Sequence, residues 1–84
     1  MDILTTTPHN FIWRVKNPER YWANSRKEVK FMVELNGIKL GKFYGVNRSF
    51  DDYRYYVNFY DENDHLNYCS TDGNSEMILI PITQ

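Results

Sequence analysis

Apolar and polar residues alternate along much of this chain, and that spacing predicts strands, because successive side chains of an extended strand face opposite ways. Residues 10–16 (N-F-I-W-R-V-K) set Phe11, Trp13 and Val15 on one side and Ile12 and Arg14 on the other. Residues 28–35 alternate more cleanly, with Val29, Phe31, Val33 and Leu35 in line. Asn36-Gly37 follows, and this pair favours a two-residue type I′ hairpin because both central residues need positive φ. The turn sets Leu35 opposite Ile38, Val33 opposite Leu40, Phe31 opposite Lys42 and Val29 opposite Tyr44. Gly41 and Gly45 interrupt the second arm, where they predict bulges and bending.

The remaining strands are expected at Tyr53–Tyr60, Leu66–Cys69 and Met77–Ile82. Pro81 would confine the last of these to a sheet edge or a strand end. Residues 1–9 read as a polar lead-in, with Pro8 disfavouring helix before it. Asn17-Pro18 is a helix-start signal, with Asn as N-cap and Pro at the first position, and the short segment through Asn24 allows one or two turns. The sum is a mainly β, β-rich α+β fold spanning residues 10–84 as one domain. It has five or six short antiparallel strands forming a small sheet or half-barrel, and one short helical turn after the first strand.

The richest segment is Tyr53–Tyr60 (Y-R-Y-Y-V-N-F-Y), with five aromatics in eight residues. One strand face takes about half of them. Tyr53, Tyr55, Val57 and Phe59 form the core face by composition. Arg54, Tyr56, Asn58 and Tyr60 form the other face, and their mix of Tyr, Arg and Asn is that of a protein-binding patch. The competing arrangement packs Tyr56 and Tyr60 against a neighbouring strand, on Leu66 or Tyr68. A second interface candidate is the apolar strand Met77–Ile82, which as an open edge would recruit another copy into a homodimer.

Composition narrows the class. Eighty-four residues with 42% hydrophobic, 17% aromatic and 25% charged content describe a folded domain. A formal net charge of −1 argues against a generic polyanion binder. Residues 1–46 nevertheless carry eight Lys or Arg against four acids, and residues 47–84 carry two against seven. Either the two halves form two charged faces, or they interleave in a sheet and pair across strands. The segment from Arg14 to Lys27 adds Lys16, Arg20, Tyr21, Trp22 and Arg26, basic residues with stacking rings that suit a single-stranded nucleic acid. The lone Cys69 allows no internal disulfide, and the first residues have neither the basic nor the apolar region of a signal peptide. A cytoplasmic setting is the expectation.

No motif identifies an enzyme. The turn Asp61-Glu62-Asn63-Asp64-His65 fails the calcium-loop template, because the sixth position is Leu66 and the twelfth Asp72. A zinc site needs about three or four ligands, and beyond His65 and Cys69 the only other His is His9. His65 and Cys69 would stand about 13 Å apart along a strand, too far for a nucleophile–base pair. No metal and no cofactor is expected. In size and style the chain resembles the small accessory proteins of phages and mobile elements. That resemblance, which covers no motif, implies a non-enzymatic module that inhibits a host factor by occluding its surface. A protein partner is the leading expectation. Single-stranded nucleic acid is the alternative, and a small ligand inside the barrel is a third reading. No membrane association is expected.

Overall fold

The computed structural model describes residues 2–82. Its strands are β1 (Leu4–Thr6), β2 (Phe31–Leu35), β3 (Ile38–Arg48), β4 (Tyr55–Tyr60), β5 (Leu66–Thr71) and β6 (Met77–Pro81), with one α-helix, α1 (Pro8–Trp13), after β1. All six strands form one antiparallel sheet in the order β1-β6-β2-β3-β4-β5. β2 to β5 are a meander, while β6 returns to slot between β1 and β2. The fold is mainly β, as the alternation predicts, and the sheet is open, not closed into a barrel.

The Asn36-Gly37 turn takes the expected left-handed backbone, with φ of 51° and 81°. Leu35 pairs with Ile38 and Glu34 with Lys39, and then a bulge shifts the ladder so that Val33 meets Gly41 and Met32 meets Lys42. The expected pairs beyond Leu35–Ile38 are therefore offset by one residue. Gly41 has φ 153°, and a Cβ there would collide with the Tyr60 carbonyl, so only glycine lets β3 pass β4 at that point. A second irregularity lies between Phe43 and Gly45. Both predicted bulges are present, and they let one eleven-residue strand serve β2 with its first half and β4 with its second.

Two segments depart from the alternation. Residues 10–16 are not a strand, and residues 4–8 are not a loose lead-in. Leu4–Thr6 pair with β6, and Thr7-Pro8 open the helix. The Thr7 hydroxyl accepts the Asn10 N–H at 3.1 Å with Pro8 at the first helical position, the N-cap arrangement. Pro8 and Phe11 are then buried, which is helical spacing, while Trp13 turns outward with 57% of its surface exposed. The Asn17-Pro18 signal yields a single 3₁₀ turn, Pro18–Arg20, and Arg26–Glu28 forms another.

Phe11 seals the main core from the helix side. Its ring meets Phe43 edge-on at 5.5 Å and Tyr21 at 6.0 Å, and Tyr21 in turn lies 4.9 Å from Phe31. Val33, Leu35, Val57, Met77 and Leu79 complete that cluster. A smaller cluster joins Ala23, Val29 and Tyr60, with Tyr44 and Ile82 against it. β6 is flanked on both sides, by β1 and by β2. It is therefore not an edge, and the expected homodimer through Met77–Ile82 has no open strand to use. Pro81 sits at the strand end, opposite Phe31. The charge halves interleave, since β3 from the basic half pairs with β4 from the acidic half. Among the described residues no helix is long and apolar enough to cross a membrane.

Candidate binding cleft

The aromatic strand divides differently from the expected two faces. Tyr53 lies before β4, has φ 58° and is 74% exposed, so it is not a core residue. Tyr55 and Val57 are buried and Phe59 packs on the core from a half-buried position. On the other face Tyr60, expected on display, is buried against Tyr44 at 5.8 Å between ring centroids. Tyr56 is half-buried: its ring meets Tyr68 edge-on at 5.4 Å and its hydroxyl donates to Asp52 at 3.1 Å. That bond and the Asp52 charge raise the Tyr56 pKa above its ordinary value. Asn58 donates to Asn47 Oδ1 at 2.7 Å, and exposed Arg54 donates from Nε to Ser70 Oγ at 3.0 Å. Of the quartet, Arg54 and Asn58 thus bond to neighbouring strands, Tyr56 to the preceding loop, and Tyr60 is buried.

Unsatisfied aromatic surface gathers elsewhere, where α1 meets the far end of β3. There β3 has run past the start of β2, and the connector fills the vacated side: the Ala23 N–H donates to the Tyr44 carbonyl at 3.2 Å. Trp22 is thereby laid against Gly45. The cleft that remains has a volume of about 380 Å³. Ile12 and Trp13 of α1 form one wall, Trp22 of the connector another, and Val46 and Arg48 of β3 the floor, with Phe50 at the rim. Trp13, Trp22 and Phe50 are 57%, 46% and 89% exposed. Large rings left this open around an apolar hollow are what a candidate docking site presents.

Each wall is fixed by a local device. Tyr55 ties α1 to β4: its hydroxyl accepts the Trp13 indole N–H at 3.3 Å and lies 2.7 Å from His9 Nδ1. The indole can only donate, while the His9–Tyr55 bond runs in the direction set by the imidazole tautomer. The loop from Ser49 to Arg54 is closed by the Ser49 N–H donating to the Arg54 carbonyl at 2.8 Å, and Asp52 accepts the Arg54 N–H at 3.1 Å. The Ser49 hydroxyl, the Arg54 N–H and the Tyr56 hydroxyl together hold the Asp52 carboxyl below its ordinary pKa. Among the described residues Arg48 is the one charged residue that lines the cleft. Its guanidinium lies 5.6 Å from the Tyr53 ring and 6.0 Å from the Tyr55 ring, within cation–π range, and its buried Nε has no hydrogen-bond partner among the described residues.

Of the basic segment, the structure brings Trp22 into the cleft, while Tyr21 is half-buried in the core and exposed Arg14, Lys16, Arg20, Arg26 and Lys27 border the connector. Trp13, Arg48 and Phe50 belong to the cleft but not to any expected site. Among the described residues no group of three or more His, Cys, Asp or Glu is placed to hold a metal ion. The fold and cleft thus define a small, mainly β protein: an open six-stranded antiparallel sheet, one short helix and an aromatic hollow at their junction. Comparison with protein-family models, curated proteins and solved structures finds no match.

Proposed function

We propose that this protein is a non-enzymatic binding module that receives an apolar segment of a partner protein in the Trp13–Trp22–Phe50 cleft. The observation that carries the reading is the trio of exposed rings around an apolar hollow. Burying one such side chain under a partner contributes about 1.5–3 kcal/mol, and aromatic anchors of this kind dominate protein interfaces. A module so built acts by occupancy: it covers the surface it docks on, as an inhibitor of the accessory type does.

A peptide library selected against the immobilised protein supplies the probe. The chain has two tryptophans, so its two indole N–H resonances both report on the cleft. A selected peptide should shift both, and Trp22→Ala should weaken it by about tenfold or more while the fold is retained. Peptides that leave both indoles unmoved, or that bind Trp22→Ala as tightly as the parent, overturn the proposal.

The same rings with Arg48 and the exposed Arg14, Arg26 and Lys27 favour a second reading, stacking of single-stranded nucleic acid. An oligonucleotide would then bind with affinity falling steeply as salt rises. Absence of any shift in a low-salt gel eliminates it.

A further inference from the structure

We infer that the outer edge of β5 is a self-association surface, at which a second copy of this chain adds antiparallel to make one continuous sheet across a two-fold axis. β5 is a terminal strand, paired with β4 alone through six consecutive residues without a register shift. Its sequence, L-N-Y-C-S-T, holds no charge, no proline and no glycine. Charges and prolines keep natural edges from pairing, as do bulges and very short strands. The opposite edge, β1, has three residues and runs straight into Pro8, so it is guarded where β5 is not.

The ladder shows which groups are open. The Asp61 N–H donates to the His65 carbonyl at 2.9 Å, one step outside the β4–β5 pairing and in the same register. Hydrogen-bonded and non-hydrogen-bonded pairs alternate in an antiparallel ladder. Leu66, Tyr68 and Ser70 therefore turn their backbone N–H and C=O groups away from β4, toward the open side. Leu66 and Tyr68 also carry exposed side chains, 53% and 66% accessible.

Charge selects a second copy as the occupant. At the end of β5 the Arg54 guanidinium is held over Ser70 by its 3.0 Å hydrogen bond. At the start lies the acidic turn Asp61–Asp64, in which Lys42 reaches Asp64 at 3.6 Å and Glu62 has no ion pair among the described residues. Two acids at the Arg54 end are held in their own loops: Asp72 accepts the Asn74 N–H at 2.8 Å, and Asp52 accepts the Arg54 N–H and the Tyr56 hydroxyl, each at 3.1 Å. Antiparallel pairing centred on Tyr68 sets Tyr68 against Tyr68 of the second copy and Leu66 against its Ser70. It also carries each Arg54 toward the other copy's acidic turn. The pairing is self-complementary, as a two-fold interface must be.

Sedimentation velocity over a concentration series tests this on the whole chain. A reversible monomer–dimer equilibrium is expected, weak because one strand edge is a small interface. Tyr68→Lys places two ammonium groups at the two-fold and should weaken association by about tenfold or more. Arg54→Glu should also weaken it, and adding Glu62→Arg should restore it. Hydrogen exchange on the unaltered protein gives an arm that does not depend on any variant folding: the Leu66, Tyr68 and Ser70 amides should gain protection as concentration rises. A protein that stays monomeric up to its solubility limit, a dimer indifferent to Tyr68→Lys, assembly that grows beyond two copies, or unchanged protection of those amides overturns the inference. Trp22→Ala should leave the equilibrium untouched, which separates this edge from the cleft.

Discussion

Tyr53 is the residue whose backbone is hardest to explain by stability alone. Among the described residues four non-glycine positions have positive φ, and the other three are Asn17, Asn36 and Asp64, types that visit that region readily. An aromatic there costs on the order of 1 kcal/mol, a strain that persists where surrounding contacts impose it. The contacts here are the Ser49–Arg54 closure and the Arg48 guanidinium over the ring. Tyr53→Asn should accordingly leave the thermal midpoint unchanged or raise it slightly, while weakening any peptide that binds the cleft by loosening Arg48. A calorimetric melt and a binding titration on the same sample check both halves. A large loss of stability would show instead that the ring is a structural prop. None of this was legible in the sequence, where alternation puts Tyr53 in line with Tyr55 and Val57. Strand parity cannot show that the strand begins two residues later, after a turn held by Asp52.

Among the elements, α1 shows why local pattern misleads. Phe11, Trp13 and Val15 satisfy period two as well as Pro8, Phe11 and Val15 satisfy a helical stripe, and six residues are too few to separate the periods. The deciding signal was Thr7-Pro8, the same N-cap and N1 pair that marks Asn17-Pro18. Thr7→Ala removes the hydroxyl that caps the Asn10 N–H and should cost about 1 kcal/mol in a urea melt. The Asn36-Gly37 hairpin, by contrast, was legible because a type I′ turn needs those residue types, and the glycines marked both bulges. The cleft was not, because Trp13, Trp22 and Arg48 converge only through the order of strands. The β4–β5 turn carries its own pH dependence. Asp61 accepts the His65 and Asn63 N–H groups, each at 2.9 Å, and the Asn67 amide, and these bonds lower its pKa, the His65 bond most. A carboxyl whose folded pKa is depressed stabilises the fold above its unfolded value, about 3.9, and loses that contribution as pH falls through the folded one. Urea midpoints should therefore drop more steeply below about pH 4 in the parent than in Asp61→Asn.

For the molecule as a whole, the open sheet makes one side chain unusually consequential. An 84-residue chain buries only about 60–65% of its unfolded surface, and its net stability is about 5–10 kcal/mol. A closed barrel would share its core among all strands. Here β3 and β4 are covered by a six-residue helix whose main anchor is Phe11, 1% exposed and in edge contact with Phe43 and Tyr21. The helix is too short to be stable by itself, so its position, and with it the Trp13 wall of the cleft, depends on that ring. Phe11→Ala should cost about 3–5 kcal/mol, about a third of the total or more, whereas Phe11→Leu, which refills most of the volume, should cost much less. The two variants separate core loss from cleft loss. If Phe11→Leu keeps the dispersed indole N–H signals and peptide binding while Phe11→Ala loses both at a temperature where its sheet signal survives, the helix is docked by this one contact. A Phe11→Ala protein that retained both would place the anchoring of α1 in the Tyr55 bonds to His9 and Trp13 instead.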